Sequence, residues 1–162
     1  MNTENGKPDK SEKGLMLVAL DGSPSSITAL EWAAKHASGL KMNIEVVNVW
    51  EHVDSTLMVA GMGFGADAYV GESDPKAWSD RILEGSVADI FGTGSDRVKK
   101  TSIEGGVVRT LVEMTKDADL LVMGSRGHGK FTDLILGTVS TSCTAKSKCP
   151  VLIVHAPAST NS

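Results

Sequence analysis

Four stretches rich in apolar residues along the chain predict strands. The first is short and continuous rather than alternating, which is typical of a strand in a parallel sheet covered by helices on both sides. The four stretches are residues 15–20, 43–50, 120–123 and 151–155. A fifth segment, residues 97–103, alternates with polar residues and therefore suits a strand nearer the edge of the sheet.

The segments between these runs carry the signals of helix starts. Ser23 followed by Pro24 is a capping residue with proline at the first helical position, and apolar residues then keep helical spacing until Gly39. Three further helices are predicted from similar signals. They cover residues 76–90 after an Asp74-Pro75 start, residues from Val108 to about Ala118, and a stretch that begins after Gly137.

Five strands that alternate with four helices predict an α/β fold, a doubly wound open parallel five-stranded sheet with helices on both faces. Consecutive strand, helix and strand imply right-handed crossovers. A length of 162 residues suits one domain, predicted over residues 14–156. Residues 1–13 and 157–162 are polar and predicted to be disordered tails. Residues 52–74 are rich in glycine and predicted to form a long loop able to fold over a site.

The stretch from residue 119 to residue 142 carries the clearest signal for chemistry. Three glycines follow the apolar run of the fourth predicted strand, at positions 124, 127 and 129, and Gly137 precedes a helix start rich in hydroxyl residues. Glycine lets main-chain N–H groups approach a ligand, and a helix N-terminus adds unpaired donors and a partial positive charge. Hydroxyl groups of Thr138 and Ser140 can donate to phosphate oxygens. The stretch therefore predicts anion capture and suits a nucleotide polyphosphate better than an apolar ligand.

A basic tip in the same loop could supply formal charge to such a site. It consists of Arg126, His128 and Lys130. Solvated loop charges are an equally good interpretation of these three residues. In the same way, Asp21 directly after the first apolar run is either a site carboxylate or a turn former before Gly-Ser-Pro.

Two better-known phosphate motifs do not account for these glycines. The P-loop pattern fits from Gly124 to Lys130 but needs a hydroxyl residue next, and Phe131 stands there, so the magnesium ligand is lost. The dinucleotide fingerprint is also absent. Its nearest match is a G-x-G-x-G run at positions 61, 63 and 65, which follows no strand and opens no helix pattern.

Composition excludes several classes of function. The net charge of −4 gives no reason to expect a nucleic acid or an acidic membrane as partner. No apolar run approaches a membrane span and no signal-peptide core is visible, so we expect a cytoplasmic protein. Cys143 and Cys149 have no histidine pair nearby, which argues against a metal site and favours two small buried or half-buried residues.

The glycine spacing and two flanking motifs together resemble the universal stress protein family, and more narrowly its ATP-binding subclass. The spacing is G-x2-G-x9-G-[ST], met by Gly124, Gly127, Gly137 and Thr138, and the flanking motifs are VALDGSPSS and CPVLIVH. The resemblance runs from about Leu15 to His155. It implies the strand order 3-2-1-4-5, in a fold like that of universal stress proteins and adenine nucleotide alpha hydrolases. The first and fourth strands would then meet at the switch in strand order, where ligands bind.

The resemblance also implies a role for each matching residue. Asp21 would hold the adenosine part of ATP, and the backbone of Val49 would contact the adenine edge. One departure is Asn48, where many relatives have histidine. The remaining implied contacts are to ribose and phosphates, by Gly124, Gly127, Gly129, Gly137, Thr138, Val139 and Ser140. Arg126 and Lys130 are added from charge and position alone.

The function implied is that of an ATP-binding regulatory or stress-response protein, with Mg²⁺ as a possible companion of the nucleotide. A slow ATPase, or a binder of AMP or cyclic AMP on the same fold, is the alternative. Hydrolysis would need a base and a magnesium carboxylate near the γ-phosphate, and Asp21 is engaged at the nucleoside end. The family resemblance further implies a homodimer through the last strand, residues 151–155, because an apolar edge strand needs cover.

Overall fold

The computed structural model describes residues 13–52, 74–128 and 136–157, and these ranges contain five strands and four α-helices. The strands are β1 (Gly14–Ala19), β2 (Met42–Trp50), β3 (Lys99–Glu104), β4 (Leu120–Gly124) and β5 (Val151–Val154). The helices are α1 (Pro24–His36), α2 (Pro75–Phe91), α3 (Val107–Met114) and α4 (Thr138–Lys146), with a 3₁₀ helix at Gly92–Arg97. None of the helices in these ranges is long and apolar enough to cross a membrane.

The strands form one parallel sheet in the order β3-β2-β1-β4-β5, which confirms the predicted fold class and strand order. Strand β1 is central: its Val18 pairs with Val46 of β2 on one side and with Val122 of β4 on the other. The chain leaves β1 toward β2 and β3, and later returns to the opposite side of β1 with β4. The switch in strand order therefore lies between β1 and β4, at the carboxyl ends of both strands.

Two apolar layers cover the two faces of the sheet. Met16 and Val18 pack with α1 and α2, whereas Leu17 between them packs with α3 and α4. All three side chains are at most 1% exposed. Alternate residues of β1 thus enter opposite layers and both are apolar, which is the physical reason for the continuous apolar run in the sequence.

The helix starts predicted from Ser-Pro and Asp-Pro pairs are confirmed. Ser23 caps α1 by accepting a hydrogen bond from the Ser26 amide at 3.3 Å, with Pro24 in the first turn. Asp74 caps α2 through the Lys76 amide at 2.9 Å. Helix α4 differs, because Gly137 is its N-cap and offers no side chain to the first-turn amides.

Several predicted boundaries were wrong by a few residues. Strand β3 begins at Lys99 because the residues before it form the 3₁₀ helix. Helix α3 ends at Met114, well before Ala118, because the amide of Lys116 bonds to the Glu113 carbonyl, a tight turn that ends the helix. Helix α1 ends at His36 rather than Gly39. Strand β5 ends at Val154, one residue before the predicted end.

Other predictions fall on residues outside the described ranges. These are nearly all of the predicted tails, the predicted loop apart from its first and last residues, and the glycines at positions 61, 63 and 65. Among the described strands β3 pairs with β2 alone, which confirms its predicted edge position. Strand β5 forms the opposite edge of the sheet.

Candidate functional site

A cavity of about 330 Å³ opens at the carboxyl ends of β1, β2 and β4, where the strand order switches. One wall is apolar and comes from the α3 and α4 side of the sheet, and the other wall carries polar groups. The apolar wall is formed by Ala19, Val47, Val49, Val107, Leu111, Met123 and Val139. The other lining residues are Leu20, Asp21, Ser26, Asn48, Gly124, Arg126, Gly127, His128, Gly137, Thr138 and Ser140.

One carboxylate oxygen of Asp21 accepts hydrogen bonds within its own loop, and the other faces the glycine loop. Its Oδ1 accepts hydrogen bonds from the Ser23 amide at 2.9 Å and from the Ser23 hydroxyl at 2.5 Å. Its Oδ2 lies so close to Gly127 that a Cβ on that residue would be 2.8 Å away. Within the described part of the chain nothing donates to Oδ2. Asp21 is therefore held in place with one free acceptor at the cavity.

The first turn of α1 fixes the glycine loop in position. The Ser25 hydroxyl donates to the Arg126 carbonyl, and the Ser23 hydroxyl, whose single proton is shared with the shorter hydrogen bond to Asp21 Oδ1, lies 3.2 Å from the same carbonyl oxygen. The Arg126 amide in turn donates to Ser25 Oγ at 3.3 Å. This contact needs glycine at position 124, because a Cβ there would lie 2.7 Å from the Ser25 carbonyl carbon and the Ser26 nitrogen. Helix α1 therefore packs directly on the end of β4.

His128 closes the loop onto the end of β1. Its Nε2 lies 2.8 Å from the Asp21 carbonyl oxygen. A carbonyl can only accept, so His128 must be the donor in this hydrogen bond. The side chains of Arg126 and His128 are exposed at the mouth of the cavity. Gly129 and Lys130, predicted at the same tip, lie outside the described residues.

The start of α4 supplies main-chain donors, but not all of those predicted. The Gly137 amide donates to the Ser125 carbonyl at 2.7 Å and is not available to a ligand. The Ser140 hydroxyl donates to the Gly124 carbonyl at 2.8 Å and the residue is only 3% exposed, so in this arrangement the hydroxyl is already engaged. The first three helical amides, of Thr138, Val139 and Ser140, have no acceptor inside the helix. No described residue elsewhere accepts from them.

Val49 directs its backbone into the cavity. The Val47 carbonyl accepts from the Leu20 amide, so the backbone groups of Val47 point toward β1. Residues two apart in a strand direct their N–H and C=O groups to the same side, so those of Val49 also point there. Strand β1 has already ended at that level, and no described residue pairs with these two groups. Val49 therefore offers one donor and one acceptor beside the apolar wall.

Asn48 and the serines of α1 are site residues that the sequence prediction missed. Asn48 is 2% exposed, and its Nδ2 donates to the Leu20 carbonyl at 2.7 Å. The signal available was an amide side chain flanked by Val47 and Val49 in β2. Ser23 and Ser25 were noted only as part of a helix start, and nothing in one sequence shows that they bond to a loop about a hundred residues away.

Groups suited to metal or thiol chemistry are not assembled here. Among the described residues no cluster of three or more histidine, cysteine, aspartate or glutamate side chains could hold a metal ion. Cys143 lies on the inner face of α4 and is fully buried. This burial raises the pKa of its thiol, which disfavours the thiolate. Cys149 is half-buried, in agreement with the prediction for this pair.

Sequence comparison places this architecture among known proteins. The model of the family described as "Universal stress protein family" matches residues 15–155. The chain belongs to the universal stress protein family. It is 32% identical over 143 residues to a universal stress protein of Mycolicibacterium smegmatis and 28% identical over 140 residues to one of Mycobacterium tuberculosis. Each match covers 86% of this chain and 47% of the relative, so the chain spans about half the length of these relatives.

Solved structures of universal stress proteins share the fold. The protein UspA from Lactobacillus plantarum superposes with a TM-score of 0.68 at 17% identity, covering 88% of this chain and 98% of that one. A universal stress protein in complex with cAMP gives 0.63 at 24% identity, with 90% and 98% covered. One from Archaeoglobus fulgidus in complex with dAMP gives 0.58 at 18% identity, with 88% and 98% covered.

The packing of Gly124 against α1 predicts unequal effects for two glycine substitutions. Gly124→Ala forces the backbone of α1 away from β4 and should lower the free energy of unfolding by about 1–3 kcal/mol or more. Gly137→Ala is the matched control, because its Cβ would meet nothing closer than 3.5 Å, and it should cost less than about 1 kcal/mol. Urea unfolding followed by circular dichroism measures both; equal losses would contradict the packing described here.

Proposed function

We propose that this universal stress protein binds ATP in the cavity at the carboxyl ends of β1, β2 and β4, and that nucleotide occupancy regulates its interactions in the stress response. One observation carries the proposal. Among the described residues, the main-chain donors at the start of α4, one carboxylate oxygen of Asp21 and the backbone groups of Val49 have no partner, and all of them border a single cavity with an apolar wall. Those are the groups needed for phosphate, ribose and base.

The phosphates would bind at the start of α4. The amides of Thr138, Val139 and Ser140 point out of the helix end, where the helix dipole also favours negative charge. The exposed hydroxyl of Thr138 adds a further donor. Gly127 lets the chain pass close to the ligand, and Arg126 at the cavity mouth can reach a phosphate. Gly137 would contribute by having no side chain that could cover these amides, because its own amide already donates to the Ser125 carbonyl.

The nucleoside would bind toward β1 and β2. Asp21 Oδ2 is placed to accept hydrogen bonds from ribose hydroxyls, because Ser23 occupies the other oxygen. An adenine edge presents one donor and one acceptor side by side, which the carbonyl and the amide of Val49 complement. The flat base would then lie against the apolar wall, where its burial is favourable.

Relatives support an adenine nucleotide as the ligand class. Two solved structures with this fold are named as complexes with cAMP and with dAMP. Both ligands contain the adenine that the wall and the Val49 backbone would recognise here. AMP and cyclic AMP are accordingly the alternatives to ATP. The three amides at α4 lie beside the glycine loop and together could hold more than one phosphate group, which favours the longer phosphate chain.

Binding without rapid hydrolysis fits the described residues better than catalysis. Phosphoryl transfer to water needs a positioned base and carboxylates that hold Mg²⁺ near the γ-phosphate. Asp21 is the carboxylate of the described cavity lining, and it lies at the nucleoside end with one oxygen bonded to Ser23. Another carboxylate in the segment between β4 and α4 belongs to Asp133, which lies outside the described residues. If Mg²⁺ accompanies ATP, phosphate oxygens and water would supply most of its ligands. A cytoplasmic location is proposed from the sequence alone.

A glycine substitution tests the binding site directly. Gly127→Ala would place a methyl group 2.8 Å from Asp21 Oδ2, and Asp21 cannot easily move because Ser23 holds its other oxygen. We expect the affinity for ATP to fall by roughly tenfold or more, with the unfolding midpoint kept. The matched control is Gly85→Ala on the exposed face of α2, where the new methyl group meets nothing within 4 Å.

Isothermal titration calorimetry with ATP, ADP, AMP and cyclic AMP gives the readout. The wild-type protein and the Gly85→Ala variant should bind ATP in the micromolar range. No heat with any of the four nucleotides in the wild-type protein would refute the proposed function. An unchanged affinity in the Gly127→Ala variant would refute the assigned location of the site.

The regulatory proposal and the ATPase alternative differ in phosphate release. We expect wild-type protein incubated with Mg²⁺ and ATP to release phosphate at the rate of buffer alone. The described lining holds no carboxylate at the phosphate end for Mg²⁺, and the ring of His128 is held by its hydrogen bond to the Asp21 carbonyl. Malachite green assays over several hours measure this. Release of more than one phosphate per chain, lost in the Gly127→Ala variant, would favour the slow ATPase instead.

We also propose a homodimer through strand β5. Its four side chains are half-buried in this single chain, and β5 is an edge strand whose outward backbone groups lack a partner among the described residues. The carbonyls of Pro150 and Val154 bond to β4, so the backbone groups of Ile153 point outward from the sheet. A second copy of β5 could pair with them.

Light scattering at working concentration should therefore give about twice the chain mass. Ile153→Pro removes an outward N–H without removing a bond to β4, and should shift the mass toward that of the monomer. Far-UV circular dichroism confirms that the variant keeps its fold. A monomeric wild-type protein would refute the dimer and leave the nucleotide site unaffected.

A further inference from the structure

The imidazole ring of His128 bridges the crevice between the glycine loop and the end of β1. Its Nε2 lies 2.8 Å from the Asp21 carbonyl oxygen. The preceding residue, Gly127, approaches the carboxylate of the same aspartate, and all three residues line the cavity. The His128 side chain is exposed. A ring that spans the crevice at the mouth of the cavity therefore lies beside a ligand that occupies both sides of it.

The hydrogen bond to Asp21 fixes which nitrogen of His128 remains available. A flip of the ring would put carbon in place of Nε2 and lose the bond, so the orientation shown is the favoured one. Because the carbonyl only accepts, Nε2 carries the proton of this bond. Nδ1 has no hydrogen-bond partner among the described residues. It is an acceptor in the neutral ring and a second N–H donor in the protonated ring.

The place of His128 in the fold selects the part of the ligand that it meets. In the proposed binding mode the base lies toward β2, and the phosphates lie at the start of α4, which follows β4. Strand β1 separates β2 from β4, and His128 is bonded to the end of β1. The ring therefore lies between the two ends of the site, next to the point where the ribose joins the first phosphate group.

We propose that His128 is a further ligand-binding residue, whose protonated ring donates a hydrogen bond from Nδ1 to the phosphate group joined to the ribose. The inference rests on the proposed function and adds to it a dependence of affinity on pH. Histidine side chains ordinarily change charge between about pH 5 and 8. The contact is present while the ring is protonated, and it is lost as the pH rises and the ring becomes neutral.

The described charges around the ring have opposite signs. The end of β1 contributes the carboxylate of Asp21, and the glycine loop contributes the guanidinium of Arg126. Helix α2 approaches the same turn through Ile82, an apolar side chain close to Gly22, and the first turn of α1 carries no acidic residue. A bound phosphate adds negative charge beside the ring, which favours the protonated form of His128 in the complex.

Replacement by glutamine separates a contact with the ligand from support of the loop. The terminal amide of glutamine can place an N–H donor where Nε2 lies, so His128→Gln can keep the bond to the Asp21 carbonyl. The variant has no group equivalent to Nδ1 and carries no charge at any pH. His52→Gln is the matched control, because it makes the same change in a side chain that is 74% exposed and lies outside the described cavity lining.

Wild-type protein and both variants are titrated by calorimetry with ATP, AMP and adenosine, at about pH 6 and about pH 8. At the lower pH, His128→Gln should bind ATP and AMP about tenfold more weakly than wild type, because a charge-assisted hydrogen bond is lost. At the higher pH the difference should shrink to within about twofold. Adenosine, which has no phosphate, should show no difference, and His52→Gln should behave as wild type. Phosphate groups also titrate near pH 6, and comparing proteins at one pH removes that contribution.

Three outcomes would overturn the proposal: equal affinities of wild type and His128→Gln for ATP at the lower pH, a loss that is the same at both pH values, or an equal loss for adenosine. Where adenosine binds too weakly to measure, the comparison of the two pH values with ATP decides. If circular dichroism shows that His128→Gln does not fold, the same titrations are made with His128→Ala.

Failure of the proposed function gives a different result. If wild-type protein binds neither ATP nor AMP, the nucleotide site itself is refuted and this inference fails with it. That outcome is distinct from ATP binding of equal strength in wild type and His128→Gln, which refutes the role of His128 alone.

Discussion

The close approach of α1 to the end of β4 is the contact on which the rest of the site depends. Gly124 has no side chain, so the backbone of Ser25 can lie against it. From there the Ser23 and Ser25 hydroxyls reach the Arg126 carbonyl, and Ser23 also holds Asp21. Because Gly124 has no Cβ, these hydrogen bonds hold the glycine loop, the Asp21 carboxylate and the start of α1 in fixed positions relative to one another. A larger residue at this point would separate all three.

The same hydrogen bonds decide which groups remain available for a ligand. The Ser140 hydroxyl and the Gly137 amide look like phosphate donors. Both already donate to carbonyls, those of Gly124 and Ser125, and so hold the start of α4 to the end of β4. This attachment leaves the amides of the first helical turn directed at the cavity, because Gly137 as N-cap supplies no side chain to occupy them. The site thus uses some donors to build a rigid frame and leaves others free, which lowers the entropy cost of binding.

The division of the cavity into an apolar wall and polar ends follows from the alternation of residues in parallel strands. Val47 and Val49 point into the α3 and α4 layer and form the wall, whereas Asn48 between them points into the other layer. The apolar wall is therefore an extension of the core beyond the ends of the strands. Membership in the universal stress protein family fits this arrangement, and the chain spans about half the length of the mycobacterial relatives it matches.

The amino-acid sequence alone determined the class of the fold and the neighbourhood of the site. Continuous apolar runs, capped helix starts and the glycine spacing are local signals, and each is readable within about fifteen residues. Only the tertiary structure decided which polar groups are free, because hydrogen bonds such as Ser25 to Arg126 and Asn48 to Leu20 join residues distant in the chain. Boundaries such as the early end of α3 at Met114 also depended on how the chain turns there. Availability of a donor or acceptor is a property of its three-dimensional neighbours, which one sequence does not contain.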